Sequence, residues 1–203
     1  PNHPALRSPV PRLHGGAMGG AGGAGTVAVR GAIRWWERRR VRRHVEGLRD
    51  ISNVYRALNH IAAVSEHSSR AMVIRSRNNG GIPGPGCTVW VKILYEHFRE
   101  AEFAIEDKWT EREADEQYSG VLLDIAEHSY IEVRTKELPA CALKTLYEAS
   151  GTAMSRVWLL HMSDVEMLYL SVNYLDEREL TANELNVALQ GVQDLRAIFS
   201  HYH

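Results

Sequence analysis

Cysteine is scarce in this chain: its 203 residues hold two, Cys87 and Cys141. They share no CxxC spacing and no histidine stands near them in a ligand pattern. That excludes a disulfide framework and a zinc site, and the pair reads as two buried thiols in a reducing compartment. Catalytic spacing is absent as well. No Ser-His-Asp, paired-carboxylate or metal-ligand arrangement can be drawn, so no catalytic residue and no metal is assigned and a non-enzyme is expected. No cofactor is named by any motif. The loop Arg77 to Gly86 is rich in glycine, but no GK[ST] and no GxGxxG opening a helix follows it. It therefore fits a hairpin connection better than a phosphate cradle.

Long apolar runs are also missing. A membrane span needs roughly 20 mostly apolar residues. Residues 15–33 approach that length, but 15–25 are nearly all glycine and alanine, a composition that favours a flexible linker in water. A secretory signal is excluded because the charge follows the small-residue run instead of preceding it. An initiator methionine is missing too, as in part of a longer reading frame. A net charge is almost absent, at −1, yet that value hides a split. Residues 1–43 hold nine arginines and one glutamate, while the remainder hold fifteen Lys/Arg against twenty-four Asp/Glu. The chain reads as a basic arm on an acidic body.

The arm, residues 1–34, begins with a Pro-rich stretch without periodicity. Beyond it Arg34, Trp35, Trp36, Arg38, Arg39 and Arg40 resemble the cytoplasmic flank of a membrane segment. They are the candidate contacts for an anionic partner. A spanning helix, a peripheral membrane contact and a solvated or self-associating basic helix all stay open. Anionic lipid and nucleic acid compete for such a patch. Lipid is favoured, because the repeated aromatic interleaving of single-strand binders is missing. The expected location is the cytoplasm, with the inner face of a membrane as the second possibility.

From Trp35 to about Ser65 a long helix is expected. Val41, Val45, Leu48, Ile51, Tyr55, Leu58 and Ala62 step by three or four. From Leu48 the spacing approaches a heptad seam. Packing onto its own domain and a homodimer seam beside the helix at 182–200 both fit this pattern. Strands follow at 70–76, around Met72-Val73-Ile74, and at 88–95, where Val89, Val91, Ile93 and Tyr95 alternate with their neighbours. Thr110 to Glu113 has capping-box spacing and opens a helix with Tyr118, Val121, Leu122 and Ile125. Tyr130 to Arg134 alternates as a strand. Pro139 suits a first helical position, and Gly151 a helix end with positive φ. Strands at 156–162 and 167–174 read as a hairpin. Thr181 and Glu184 form a second capping box before the apolar helical series Leu185, Leu189, Val192, Leu195, Phe199.

This order, ending in Leu170-Ser171-Val172, then Leu180-Thr181 and a closing helix, resembles a GAF domain, the sensor module related to PAS, over residues 35–203. The resemblance implies an α+β fold with a central five-stranded, mostly antiparallel sheet. The first and last helices would cover one face, and a small-molecule ligand would lie on the other. Several subfamily patterns are missing: the bilin-attaching Cys-His pair, the Asn-Lys-Phe-Asp-Glu signature of cyclic-nucleotide binders, and the three cysteines of the methionine sulfoxide reductases.

Strand alternation supplies candidate ligand contacts. If the wholly apolar faces pack on the terminal helices, Arg75, His161, Tyr169, Ser171 and Asn173 converge on the other side. Whether they line a pocket or reach solvent at the sheet rim stays open. Two functions fit: a small-molecule sensor, dimeric and membrane-associated through the arm, or a structural or interaction module without a ligand. The latter would be an assembly component or a virally encoded accessory protein.

Overall fold

The computed structural model describes residues 23–78, 88–105 and 111–200, without the side chains of 23–38 and 43–45. The Pro-rich start of the arm and most of the loop at 77–86 lie outside the described residues. Contacts divide the chain into two units, Pro1–Val45 and Glu46–His203. In the first, α1 (Gly23–Val64) already runs as helix, and the side chains of Arg39, Arg40, Val41 and Arg42 are exposed. The helix thus already covers Gly23–Gly25, inside the run read as a linker. Once a helix is nucleated, each further residue gains one hydrogen bond, which carries it back through Ala and Val. Among the described residues no helix is long and apolar enough to cross a membrane.

The second unit is built on one antiparallel sheet. Its strands are β1 (Ser68–Asn78), β2 (Val89–Phe98), β3 (Arg112–Glu113), β4 (Tyr130–Arg134), β5 (Met154–Met162) and β6 (Glu166–Tyr174), in the order β3-β2-β1-β6-β5-β4. The expected pairings β1–β2 and β5–β6 are both present. Six strands stand where five were expected. The sixth, β3, pairs Glu113 with Trp90 and Arg112 with Val91. Two polar residues have no period to read, so this strand depends wholly on its partner. It also replaces the expected helix start at Thr110–Glu113, of which Thr110 lies outside the described residues.

Helix α2 (Glu116–His128) starts instead at Asp115, whose side chain accepts from Tyr118 N. Helix α3 (Ala142–Ala149) starts at Cys141, not Pro139, and Cys141 Sγ accepts from Lys144 N. Cys141 is therefore half-buried at a cap and not a core thiol. Gly151 takes φ 65° just after α3, as its position requires. Helix α4 (Ala182–Phe199) has the full capping box, with Thr181 and Glu184 each satisfying the other's backbone N–H.

Two cores result. On one sheet face Val54, Leu58 and Ile61 of α1 and Val192, Leu195 and Phe199 of α4 pack over Val73, Leu170 and Val172. On the other, Tyr118, Leu122 and Ile125 of α2 and Leu143 and Tyr147 of α3 cover Met72, Ile74, Val157 and Tyr169. Full burial of each such side chain is worth roughly 1.5–3 kcal/mol.

Candidate functional site

The side of the sheet beneath α2 and α3 is where a ligand was expected, and register decides which residues reach it. Directly opposed residues on neighbouring strands share a face. Leu168, Leu170 and Val172 of β6 face the terminal helices, so Val73, opposite Leu170, and Ala71, opposite Val172, must follow. Met72, opposite Ser171, and Ile74, opposite Tyr169, then face α2 and α3. The apolar face of β1 is therefore on the ligand side, the reverse of the expectation. Arg75 sits opposite Leu168, on the other face, and pairs with Glu111 at 3.6 Å. The β5–β6 register shifts between Leu159 and His161, which sets His161 opposite Leu168 as well. That bulge takes His161 away from the line of Val157 and Leu159.

Tyr169, Ser171 and Asn173 do share the ligand-side face, and two of them enter a buried polar cluster. Ser155 Oγ and Ser171 Oγ lie 2.8 Å apart. With the Asn173 amide oriented by its neighbours, its nitrogen donates to both serine hydroxyls at 3.1 Å. Its oxygen accepts from Arg70 Nη2 at 2.8 Å and Nε at 2.9 Å. Arg70 is fully buried and completes its bonds with neutral acceptors: Phe103 O at 3.0 Å, Ser150 Oγ at 2.7 Å and Thr152 Oγ1 at 3.0 Å. Burial holds its pKa below the ordinary arginine value, with Tyr147 and Glu96 opposing that shift. The sequence reading missed Arg70. Its one signal was a cation at the head of an apolar strand.

Between this cluster and α2 the face is filled. Tyr118 and Tyr169 bring their hydroxyls to 3.2 Å, and burial pushes both phenols above their ordinary pKa, so both stay neutral. The cavity on this face is about 20 Å³, with Met72, Tyr118, Tyr147, Tyr169 and Ser171 among its walls. That is room for about one water, against roughly 300–1,000 Å³ for a small-molecule pocket. Of the candidate anionic-partner contacts, the side chains of Arg34, Trp35, Trp36 and Arg38 lie outside the described residues. Arg39 and Arg40 are exposed.

No protein-family model and no curated protein matches the chain. Solved structures do. A GAF domain from Synechocystis in its photoproduct state aligns at TM-score 0.52 and 12% identity, over 75% of this chain and 95% of that one. The GAF domain of a two-component sensor histidine kinase from Bacillus halodurans aligns at TM-score 0.49 and 13% identity, over 76% and 95%. At such identities the likeness concerns the fold alone. The order of elements, the antiparallel sheet and this likeness agree, and the chain has a GAF-like fold.

Proposed function

We propose that this chain is a non-enzymatic GAF-like module that acts through its surfaces, as a structural or interaction component without a small-molecule ligand. One observation carries the reading: the sheet face under α2 and α3 is packed with its own side chains around about 20 Å³ of space. So small a cavity gives no room for a drug-sized molecule. Native mass spectrometry of gently purified full chain tests it. The expected spectrum shows the polypeptide mass and its oligomers with no adduct. A small molecule retained in stoichiometric amount overturns the reading.

That outcome would favour the second function, small-molecule sensing. Its support is the placement of Tyr169 and Ser171 on the cavity wall, with Asn173 and the Arg70 cation behind them. A ligand there requires α2 and α3 to move outward, so binding would expose Tyr118 to exchange and modification.

Two partners belong to either function. A second copy pairs through the α1 stripe of Leu48, Ile51 and Tyr55, all exposed. The basic arm, with Arg34, Trp35, Trp36, Arg38, Arg39 and Arg40, meets an anionic membrane surface, the inner, cytoplasmic face of a membrane. Each basic residue near such a surface contributes about 1 kcal/mol, within a Debye length. Removing residues 1–43 is expected to abolish sedimentation with anionic vesicles at low salt. Equal retention of both forms contradicts the arm's role, and tighter binding to nucleic acid at matched ionic strength assigns it to that partner.

A further inference from the structure

Strand β4 ends the sheet, and no strand lies beyond it among the described residues. Its register with β5 determines which backbone groups point outward. Leu159 N donates to Ser129 O at 2.8 Å, and Thr135 N donates to Ala153 O at 2.9 Å. Positions 129 and 135 therefore bond inward, and in an antiparallel ladder so do 131 and 133. The N–H and C=O groups of Tyr130 and Glu132 and the N–H of Arg134 point off the sheet, while the Arg134 carbonyl stands at the N-cap of the 3-10 turn Thr135–Glu137.

Grooves flank this edge on both faces. One of about 550 Å³ lies between β4 and α4, with Tyr130, Leu185 and Leu189 on its walls. These three are about two-fifths exposed, which is unusual for large apolar side chains grouped together. The other, of about 490 Å³, lies on the α2 side over Ile131 and Val133, with Asp124 and His128 among its walls. Native edges are commonly guarded by charge. Here Glu132 is folded back onto Arg156, at 3.0 Å, and the Tyr130 hydroxyl, at 2.9 Å. Arg134 is drawn toward Glu132 and Glu137, at 3.4 and 3.7 Å. The charge left over is acidic: Asp124 and Glu127 stand exposed on α2, with no ion-pair partner among the described residues.

We propose that the β4 edge accepts an extended segment of a partner protein as a seventh, antiparallel strand, with apolar side chains in the α4 groove and basic side chains toward Asp124 and Glu127. Successive side chains of a strand point to opposite faces, so such a segment alternates apolar and basic residues. The orientation fixes a further detail. In an antiparallel pair the two residues that exchange hydrogen bonds share a face. Tyr130 and Glu132 are on the α4 side, so the apolar residues of the segment supply its bonding N–H and C=O groups. The site is outside the α2/α3 core and stands whether or not that core takes a ligand.

The test titrates the full chain with a fluorescent synthetic peptide of alternating valine and lysine. It is compared with a valine–glutamate peptide, and with valine–lysine peptides N-methylated either at every valine or at every lysine. Saturable binding of the parent peptide is expected. A loss of roughly tenfold or more in affinity, about 1.4 kcal/mol, is expected for the glutamate peptide and for the valine-methylated peptide. The lysine-methylated peptide, equal in charge and composition, keeps its affinity. Leu185→Lys with Leu189→Lys, and separately Asp124→Lys with Glu127→Lys, weaken the parent peptide to a similar degree. These side chains are exposed, and circular dichroism checks that the variants fold. Equal binding by both methylated peptides, loss on methylating lysine instead of valine, or indifference to both pairs of substitutions overturns the proposal.

Discussion

A 2.7 Å hydrogen bond from Ala142 N–H to Asp115 Oδ2 joins the starts of two helices, because Asp115 Oδ1 also accepts from Tyr118 N, at 2.8 Å. One carboxylate thus satisfies a free N–H at the start of α2 and another at the start of α3. Its charge lies at the positive end of both helix dipoles.

A helix cap is worth about 1 kcal/mol, so Asp115→Ala should cost about twice that. Asp115→Asn keeps one acceptor oxygen and should lose about half as much. Urea midpoints at unchanged slope give the comparison. Equal losses in the two variants would show that only one of the two bonds matters.

The pairing of α1 with α4 gives a second expectation. A Cβ on Gly191 would lie 2.5 Å from Ile61 Cδ1 and 2.8 Å from Ile61 Cγ1, and Ile61 is buried. Gly191→Ala should therefore destabilise the domain by roughly 1–3 kcal/mol, although alanine is the better helix former. Ile61→Val removes the nearer atom and should recover part of that loss. A double-mutant cycle reads the coupling. Additive effects, or a stabilising Gly191→Ala, would mean that the helices separate freely.

Much of this fold was legible because hydrophobic alternation and capping are local signals. Tyr130–Arg134, the β5–β6 hairpin and the Thr181/Glu184 box were read from neighbours within a few residues. Alternation shows that Ala71, Val73 and Arg75 share a face, but not which face. That choice is made by register against Leu168, Leu170 and Val172, about a hundred positions away. His161 was misplaced for a related reason, since a bulge adds a residue without changing the composition. The Arg70 cluster is built from Phe103, Ser150, Thr152 and Asn173. No spacing rule connects such separated residues. Asp115 was hidden because the Thr110–Glu113 pattern beside it satisfied the same rule.

Acid should act on the domain through Glu184. Arg178 donates to its carboxylate, with Nη1 3.0 Å from Oε2, and Thr181 N donates to the same oxygen at 2.7 Å. The Arg178 pairing foremost, against the opposing effect of burial, holds Glu184 well below the usual carboxylate range. The folded state therefore binds this proton less readily than the unfolded chain does. The stabilisation is fully present above the unfolded pKa of about 4.3 and is lost as pH falls through the lower folded value. Glu184→Gln should be less stable than the natural chain near neutrality, and the gap should narrow below about pH 4. A gap that stays constant with pH would remove Glu184 from the acid response.

The last expectation concerns the second copy. Leu48, Ile51 and Tyr55 recur at intervals of three and four on α1, and they are 54%, 39% and 40% exposed. The residues that α1 buries against the sheet, Val54, Leu58 and Ile61, follow a different line on the same helix. The second line is covered by the sheet, while Leu48 and Ile51 of the first stay exposed. Apolar side chains at this spacing are what a helix–helix seam requires. Burying a leucine there contributes roughly 1.5–3 kcal/mol, and a tyrosine with its ring edge against Tyr95 is already held in place. Replacing Leu48 and Tyr55 together by glutamate puts like charges at the seam while leaving Val54, Leu58 and Ile61 untouched. Sedimentation equilibrium should then show a folded monomer for the variant and a concentration-dependent dimer for the natural chain. A natural chain that stays monomeric at high concentration would leave the stripe without a second copy to cover it.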